Sequence, residues 1–188
     1  MTITRVIRDP TPVMCRRVND DHEAITQAWL ELTQNLGSLR GRRLFGVFAP
    51  GTGEYRVCAQ IWPGDDPQHL RLDAGTIAGG RYLRARIRRT SPDIYTSIPS
   101  IFAEMETHTH RDPNRPIVEF YRSHDTIDLL LPVQTDTQLQ SDNPSNEGAA
   151  ELSISARALS TWPRAWSGLR WFWVRRSRWS AGGSARAR

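Results

Sequence analysis

The sequence contains few of the residues that hold together small secreted or zinc-bound proteins. Among 188 residues there are only two cysteines, Cys15 and Cys58, which excludes a disulfide scaffold and a cysteine-rich zinc site. No stretch of about 18 uncharged apolar residues is present, which excludes a membrane-spanning helix. The first residues contain no apolar signal segment, and we therefore expect a cytoplasmic protein.

The sequence also lacks the compact motifs of common enzyme classes. We find no glycine-rich phosphate loop, no nucleophile elbow and no cysteine–histidine pair suited to nucleophilic catalysis. His108 and His110 lie close together in the chain, but no third ligand stands at a suitable spacing. We therefore predict neither a metal site nor a cofactor.

Lysine is absent, and all 25 basic residues are arginine. Residues 1–138 carry 17 arginines and 17 acidic residues, so the net charge of +5 comes entirely from residues 139–188. A nucleic-acid-binding domain carries its basic excess on the folded part of the chain. The pI near 10 therefore does not indicate such a domain here.

A helix and a β-hairpin are predicted in the first part of the chain. Asp20 is the predicted helix N-cap, with Glu23 three residues later as in a capping box, and Gly37 is placed to end the helix. Strands are predicted at 43–49 and 55–61, joined by a Pro-Gly-Thr-Gly turn. The apolar face of the helix consists of four residues at helical spacing, namely Ile25, Trp29, Leu32 and Leu36.

The remainder of the domain repeats this order of elements. A second helix has its apolar residues at the same spacing, and Ser97 before Pro99 is its predicted cap. These apolar residues are Ile94, Ile98, Ile101 and Met105. The other predicted strands are rich in β-favouring residues and cover 3–18, 68–74, 76–89, 117–121 and 127–133.

The two halves therefore predict an α+β fold of duplicated strand–helix–hairpin units. We expect one mainly antiparallel sheet with both helices on one face, which leaves the other face free for a ligand. When the halves are aligned, residues 43–48 fall on residues 116–121. Gly46 then corresponds to Glu119, and Phe48 to Tyr121.

This arrangement resembles the gyrase-inhibitor-like (GyrI-like) domain, the effector-binding module of bacterial multidrug-responsive transcription regulators. The resemblance covers residues 1–134. It rests on Arg-Leu-Phe-Gly-Val-Phe at 43–48, the strand with Tyr55 and Cys58, Arg-Pro-Ile-Val-Glu-Phe-Tyr at 115–121, and Leu-Pro-Val at 131–133. It implies a groove in which a glutamate contacts cationic aromatic ligands, and Glu119 is the matching position.

Glu119 has apolar neighbours on both faces of its strand. Such a carboxylate lies either at a solvent-exposed sheet edge or in an apolar pocket, where desolvation raises its pKa and a ligand cation stabilises its charged form. Period-two geometry places Tyr121 on the same face, where its ring can contact a flat or cationic ligand. Gly46 either leaves room over the carboxylate or marks a bulge or close strand crossing.

Further aromatic residues are candidate walls of the groove, although aromatic residues in strands are more often core residues. They are Phe48, Tyr55, Trp62 and Tyr82. Arg84, Arg86 and Arg88 alternate with apolar residues, which predicts a cationic row on one strand face. That row is either simply solvated or contacts an anionic partner.

The C-terminal part of the chain departs from the resemblance. Residues 135–150 are polar and predict a linker. Residues 151–188 contain eight arginines and five of the seven tryptophans. A segment of this composition can contact an anionic membrane or nucleic acid, but we expect a disordered, unselected extension.

We expect a stand-alone protein that senses or sequesters a small molecule, and we expect this molecule to be amphipathic and to carry a cationic aromatic group. No helix-turn-helix DNA-binding domain fits before the first strand. One alternative is a hydrolase in which Glu119 acts as general acid or base, with Glu54 or Glu104 as the second carboxylate. Another, taken from the family's name, is a protein that inhibits a topoisomerase by contact.

Overall fold

A computed structural model describes residues 2–88, 94–123 and 125–134. Its strands and helices are β1 (Thr2–Arg8), β2 (Thr11–Asn19), α1 (His22–Leu36), β3 (Leu44–Ala49), β4 (Glu54–Gln60), β5 (Asp73–Ile77), β6 (Gly80–Arg88), α2 (Ile98–Glu106), β7 (Ile117–Ser123) and β8 (Thr126–Pro132). A short 3-10 helix, Ile94–Ser97, leads into α2. The predicted linker at 135–150 and tail at 151–188 lie outside the described residues.

The strands form one open antiparallel sheet in the order β1-β6-β8-β7-β3-β4-β2-β5. This order is symmetric about the boundary between β7 and β3, which separates the unit β2-α1-β3-β4 from the unit β6-α2-β7-β8. The strand before each unit pairs with the first strand of the other unit, β1 with β6 and β5 with β2. The predicted α+β fold of two strand–helix–hairpin units is confirmed.

Both helices pack on the same face of the sheet, which we call the helix face. Trp29 and Leu32 of α1 and Phe102 and Met105 of α2 belong to one buried cluster with side chains from six strands. The opposite face, which we call the helix-free face, carries a second apolar cluster that includes Phe45. The sheet therefore separates two packed layers, and its second face is not simply open to a ligand as expected.

The first helix begins one residue later than the sequence predicted. Asp21, not Asp20, is the N-cap: its backbone is extended, and its Oδ1 accepts a hydrogen bond from the Ala24 N–H at 2.9 Å. Gly37 ends the helix with φ of 63°, as predicted. Ser97 precedes α2 as expected, but its side chain makes no capping hydrogen bond. Neither helix in the described ranges combines the length and apolar character needed to cross a lipid bilayer.

The prediction of a strand at 68–74 is wrong for most of these residues. Asp66 instead caps a turn, because its Oδ1 accepts hydrogen bonds from the N–H groups of Gln68 and His69 at 3.0 and 3.1 Å. The Leu70 N–H continues this turn by donating to the Asp66 carbonyl. The Leu-Arg-Leu alternation resembles a strand, but the local side-chain hydrogen bonds to the backbone favour the turn.

Candidate ligand-binding site

Glu119 lies in the middle of the sheet. Its strand, β7, is paired with β8 on one side and β3 on the other, so it is not an edge strand. Ile117 and Tyr121, its neighbours at period two, belong to the cluster on the helix face. The Glu119 side chain is only 1% exposed, which excludes its being a solvent-exposed glutamate at a sheet edge.

Two tyrosines donate hydrogen bonds to one oxygen of Glu119. The Tyr121 hydroxyl lies 2.5 Å from Oε2, and the Tyr55 hydroxyl, reaching across from β4, lies 3.3 Å from the same atom. The second oxygen, Oε1, is buried and has no hydrogen-bond partner among the described residues. When Glu119 is ionised, this unpartnered oxygen in an apolar layer is a strong acceptor that lacks a donor or a cation.

Gly46 makes the contact between Tyr55 and Glu119 possible. It lies on β3 directly opposite Glu119, and β3 runs between β4 and β7. A Cβ at position 46 would overlap the Tyr55 hydroxyl oxygen and lie 3.1 Å from Glu119 Oε2. The missing side chain at position 46 thus leaves room for the Tyr55 phenol, which occupies the position beside the carboxylate.

Burial controls the ionisation of this cluster. Desolvation raises the pKa of Glu119 to about 8, although the hydrogen bonds from Tyr121 and Tyr55 act in the opposite direction. Burial, and then the nearby Glu119 charge, raise the pKa of both tyrosines well above their ordinary value. At neutral pH the cluster is thus an uncharged carboxylic acid with two phenol donors.

Two residues around the cluster were not predicted as site residues. Trp29 of α1 packs edge-on against the Tyr121 ring, with centroids 5.3 Å apart and planes at 83°. Asp20 adds a like-charge contribution to the raised pKa of Glu119. Burial, and then Asp21, raise the pKa of Asp20 itself to about 6, and its Oδ1 has no partner among the described residues.

Sequence reasoning treated Trp29 only as part of the apolar helix face and Asp20 only as a cap. For Trp29, the available signal was a tryptophan on the apolar face of the helix that packs on the sheet. The two consecutive aspartates were the signal for Asp20, since one N-cap position uses only one carboxylate.

The other predicted wall residues lie at different distances from this cluster. Phe48 is 3% exposed and shares the helix face, opposite both Tyr55 and Ile117 in the strand register. Tyr82 belongs to the helix-free face, where the Arg115 guanidinium lies 4.3 Å from its ring centroid. Trp62 is 37% exposed and lies under the Arg42 guanidinium. Only Phe48 of these three is on the face of Glu119.

The surface of the described residues contains cavities, two of which include predicted site residues. One of about 700 Å³ lies between β1, the start of β6 and the residues after α2, and it includes Tyr82 and His108. The other, of about 510 Å³, lies between residues 38–44 and residues 120–123 and includes Tyr121. In residues 2–88, 94–123 and 125–134, no three His, Cys, Asp or Glu side chains are grouped so that they could hold a metal ion.

Comparison with known proteins gives structural matches alone. No protein-family model matches the sequence. No curated protein matches it either.

Three solved structures share the fold. An integron cassette protein from the mobile metagenome of Vibrio cholerae is 13% identical with a TM-score of 0.53, covering 70% of this chain and 95% of that one. SAV2435 bound to tetraphenylphosphonium is 9% identical with a TM-score of 0.51, covering 76% and 100%. A candidate transcription regulation protein from Staphylococcus aureus MU50 is 10% identical with a TM-score of 0.50, covering 72% and 99%.

The chain thus belongs structurally to the α+β proteins built from two strand–helix–hairpin units on one sheet. Its fold is shared with these three proteins and is consistent with the GyrI-like effector-binding fold that the sequence resemblance implied. At these identities the likeness establishes the fold and leaves the role of Glu119 to its own geometry.

Proposed function

We propose that this protein binds an amphipathic small molecule with a cationic aromatic group, and that Glu119 pairs with the cation. The observation that carries the proposal is the buried Oε1 of Glu119, which has no partner while Oε2 has two. A cation beside Oε1 would supply the missing partner and stabilise the ionised carboxylate in its apolar surroundings.

The aromatic residues around Glu119 suit the rest of such a ligand. Tyr121, Tyr55 and Trp29 present ring surfaces, and a cation over an aromatic ring is attracted by the electrons of its face. Because Glu119 is 1% exposed, binding requires these side chains to move apart. The shared fold with SAV2435, which was solved with tetraphenylphosphonium, supports this ligand class.

The hydrolase alternative is not favoured by the positions of the other carboxylates. Glu54 alternates with Tyr55 along β4 and therefore projects from the helix-free face, where it pairs with Arg56 at 3.2 Å. Glu104 is exposed on α2. Neither Glu54 nor Glu104 therefore lies where the hydrolase alternative requires a second catalytic carboxylate.

Charge pairing is tested by titrating tetraphenylphosphonium and the uncharged triphenylphosphine oxide against wild type and Glu119→Gln. Glutamine keeps the shape of the side chain and removes its charge. We expect at least about tenfold weaker binding of the cation, about 1.4 kcal/mol, and little change for the neutral compound. Binding is measured by calorimetry at pH 9, where Glu119 is ionised before the ligand arrives.

The matched control is Glu104→Gln, an exposed glutamate on α2, which should bind both compounds as wild type does. Equal weakening of both compounds by Glu119→Gln would show that Glu119 shapes the site without pairing charge. Unchanged binding of both would overturn the proposal.

A further inference from the structure

A cluster of arginines lies on the helix-free face, around the Phe120 ring. Arg8 and Arg122 lie over the Phe120 ring, with guanidinium carbons 5.0 and 5.7 Å from its centroid. The acid in this cluster is Asp128, which is fully buried. Arg86 contacts both Asp128 oxygens at 2.7 and 3.1 Å, and Arg122 contacts Oδ2 at 3.4 Å.

The 510 Å³ cleft opens beside this cluster. Four arginines line it, Arg40, Arg42, Arg43 and Arg122, together with Ser38 and Ser123. Among the described residues the lining has no acidic side chain, but the Ser123 hydroxyl donates a hydrogen bond to the nearby Asp125 carboxylate at 2.7 Å. Arg42 is already occupied, because its guanidinium forms a double hydrogen bond with Asp65. Arg40 and Arg43 are exposed, and neither has a carboxylate within 4.0 Å among the described residues.

The arginines here repel one another. Burial lowers the pKa of Arg8, and the like charges of Arg43 and Arg122 lower it further, whereas Asp128 raises it. Asp128 is in contact with Arg86 and Arg122 and also acts on Arg8, which in addition carries the like-charge effect of Arg43. An anion in the cleft would relieve this repulsion.

We propose that the cleft between residues 38–44 and 120–123 binds an oxyanion group, a phosphate or a carboxylate, through Arg40, Arg43 and Arg122. Guanidinium groups present parallel N–H donors that match the two oxygens of such groups, and these charge-assisted hydrogen bonds are among the strongest in proteins. The proposed ligands are arginines and not Glu119, although Tyr121, which donates a hydrogen bond to Glu119, also lies in the lining of the cleft.

The test uses the full chain and two probes, pyrophosphate and citrate, titrated by calorimetry at matched ionic strength. The variant Arg40→Gln/Arg43→Gln removes two cleft arginines that have no ion pair, so folding should be preserved and is checked by thermal melting. We expect at least tenfold weaker binding of the preferred anion. The arginines of residues 139–188 are identical in wild type and variant, so their contribution cancels in the comparison.

The control is Arg5→Gln, an exposed arginine that lines the 700 Å³ cavity and should leave anion binding unchanged. Tighter binding of pyrophosphate than of citrate assigns the site to phosphate, and the reverse assigns it to carboxylate. If Arg40→Gln/Arg43→Gln binds each anion as tightly as wild type binds it, the proposal is overturned.

Discussion

At the scale of single residues, Gly46 decides whether Tyr55 can reach Glu119. Adding one methyl group would place a Cβ on the Tyr55 hydroxyl oxygen, in a layer where every neighbouring side chain is packed. We expect Gly46→Ala to destabilise the protein by roughly 1–3 kcal/mol, as overpacking commonly does. The measurement is urea unfolding followed by circular dichroism.

Gly75 provides the control for this substitution. It also lies in a strand, β5, and a Cβ there would meet nothing within 4 Å. Gly75→Ala should therefore change stability little. If the clash with Tyr55 is the cause, adding Tyr55→Phe to Gly46→Ala should recover part of the lost stability, and a further loss would contradict this explanation.

The raised pKa of Glu119 makes stability depend on pH. The folded protein holds this proton up to a pKa of about 8, whereas the unfolded chain releases it near 4.5. The stabilising contribution of the neutral acid is therefore complete below pH 4.5 and is lost as pH rises towards 8. The total loss is on the order of a few kcal/mol, at about 1.4 kcal/mol per pKa unit.

We therefore expect the unfolding free energy of wild type to fall relative to that of Glu119→Gln between pH 5 and pH 8. Asp20, with its pKa raised to about 6, acts in the same direction but is present in both proteins. Denaturant unfolding at pH 5, 6.5 and 8 measures the difference. A difference that does not vary with pH would mean that Glu119 is ionised in the folded protein.

At the scale of elements, the predicted arginine row on β6 has two different environments. Arg86 pairs with the fully buried Asp128 on β8, whereas the Arg84 guanidinium donates to the Thr4 hydroxyl at 3.0 Å. Arg86→Ala removes two of the three guanidinium hydrogen bonds to Asp128 and leaves its charge poorly compensated. We expect Arg86→Ala to lower the melting temperature by several degrees and Arg84→Ala to change it little.

A double variant separates lost charge compensation from lost packing. Replacing both Arg86 and Asp128 by leucine removes the buried charge together with its partner, and such exchanges are often neutral or stabilising. We expect Arg86→Leu/Asp128→Leu to melt above Arg86→Ala. Equal or lower melting would show that the arginine stem, not the ion pair, stabilises this region.

At the scale of the whole molecule, the two units hold each other through their edge strands. Strand β1 precedes the first unit in sequence but pairs with β6 of the second unit. Strand β5 precedes the second unit but pairs with β2 of the first. The sheet is therefore a single cooperative body, which neither unit forms alone.

We expect a chain ending at residue 138 to melt at the same temperature as the full chain and to be more soluble. The polar composition of 135–150 and the excess of arginine over acidic residues in 151–188 give no sequence-based reason for docking on this sheet. Differential scanning calorimetry of the two proteins makes the comparison. A drop of several degrees on truncation would show that the C-terminal segment packs on the domain.

The sequence by itself determined the parts of this protein that depend on local spacing. Period-two alternation put Tyr121 beside Glu119, helical spacing defined the buried face of α1, and Gly37 marked its end. The internal duplication also made Gly46 the counterpart of Glu119, and the two residues are register partners on β3 and β7. These features follow from backbone periodicity, which a few neighbouring residues specify.

Only the tertiary structure decided what surrounds the carboxylate. Tyr55 is 64 residues from Glu119 in the chain and reaches it across an intervening strand. The contact of Trp29 with the Tyr121 ring depends on how α1 packs on the sheet. The choice of Asp21 over Asp20 as cap, and the turn at 66–70, rest on hydrogen bonds from backbone N–H groups to aspartate side chains. The sequence permits these bonds but equally permits the arrangements that were predicted. The contacts of Tyr55 and Trp29 are set by the packing of distant segments, whereas the cap and the turn differ from the prediction because local preference leaves several arrangements close in energy.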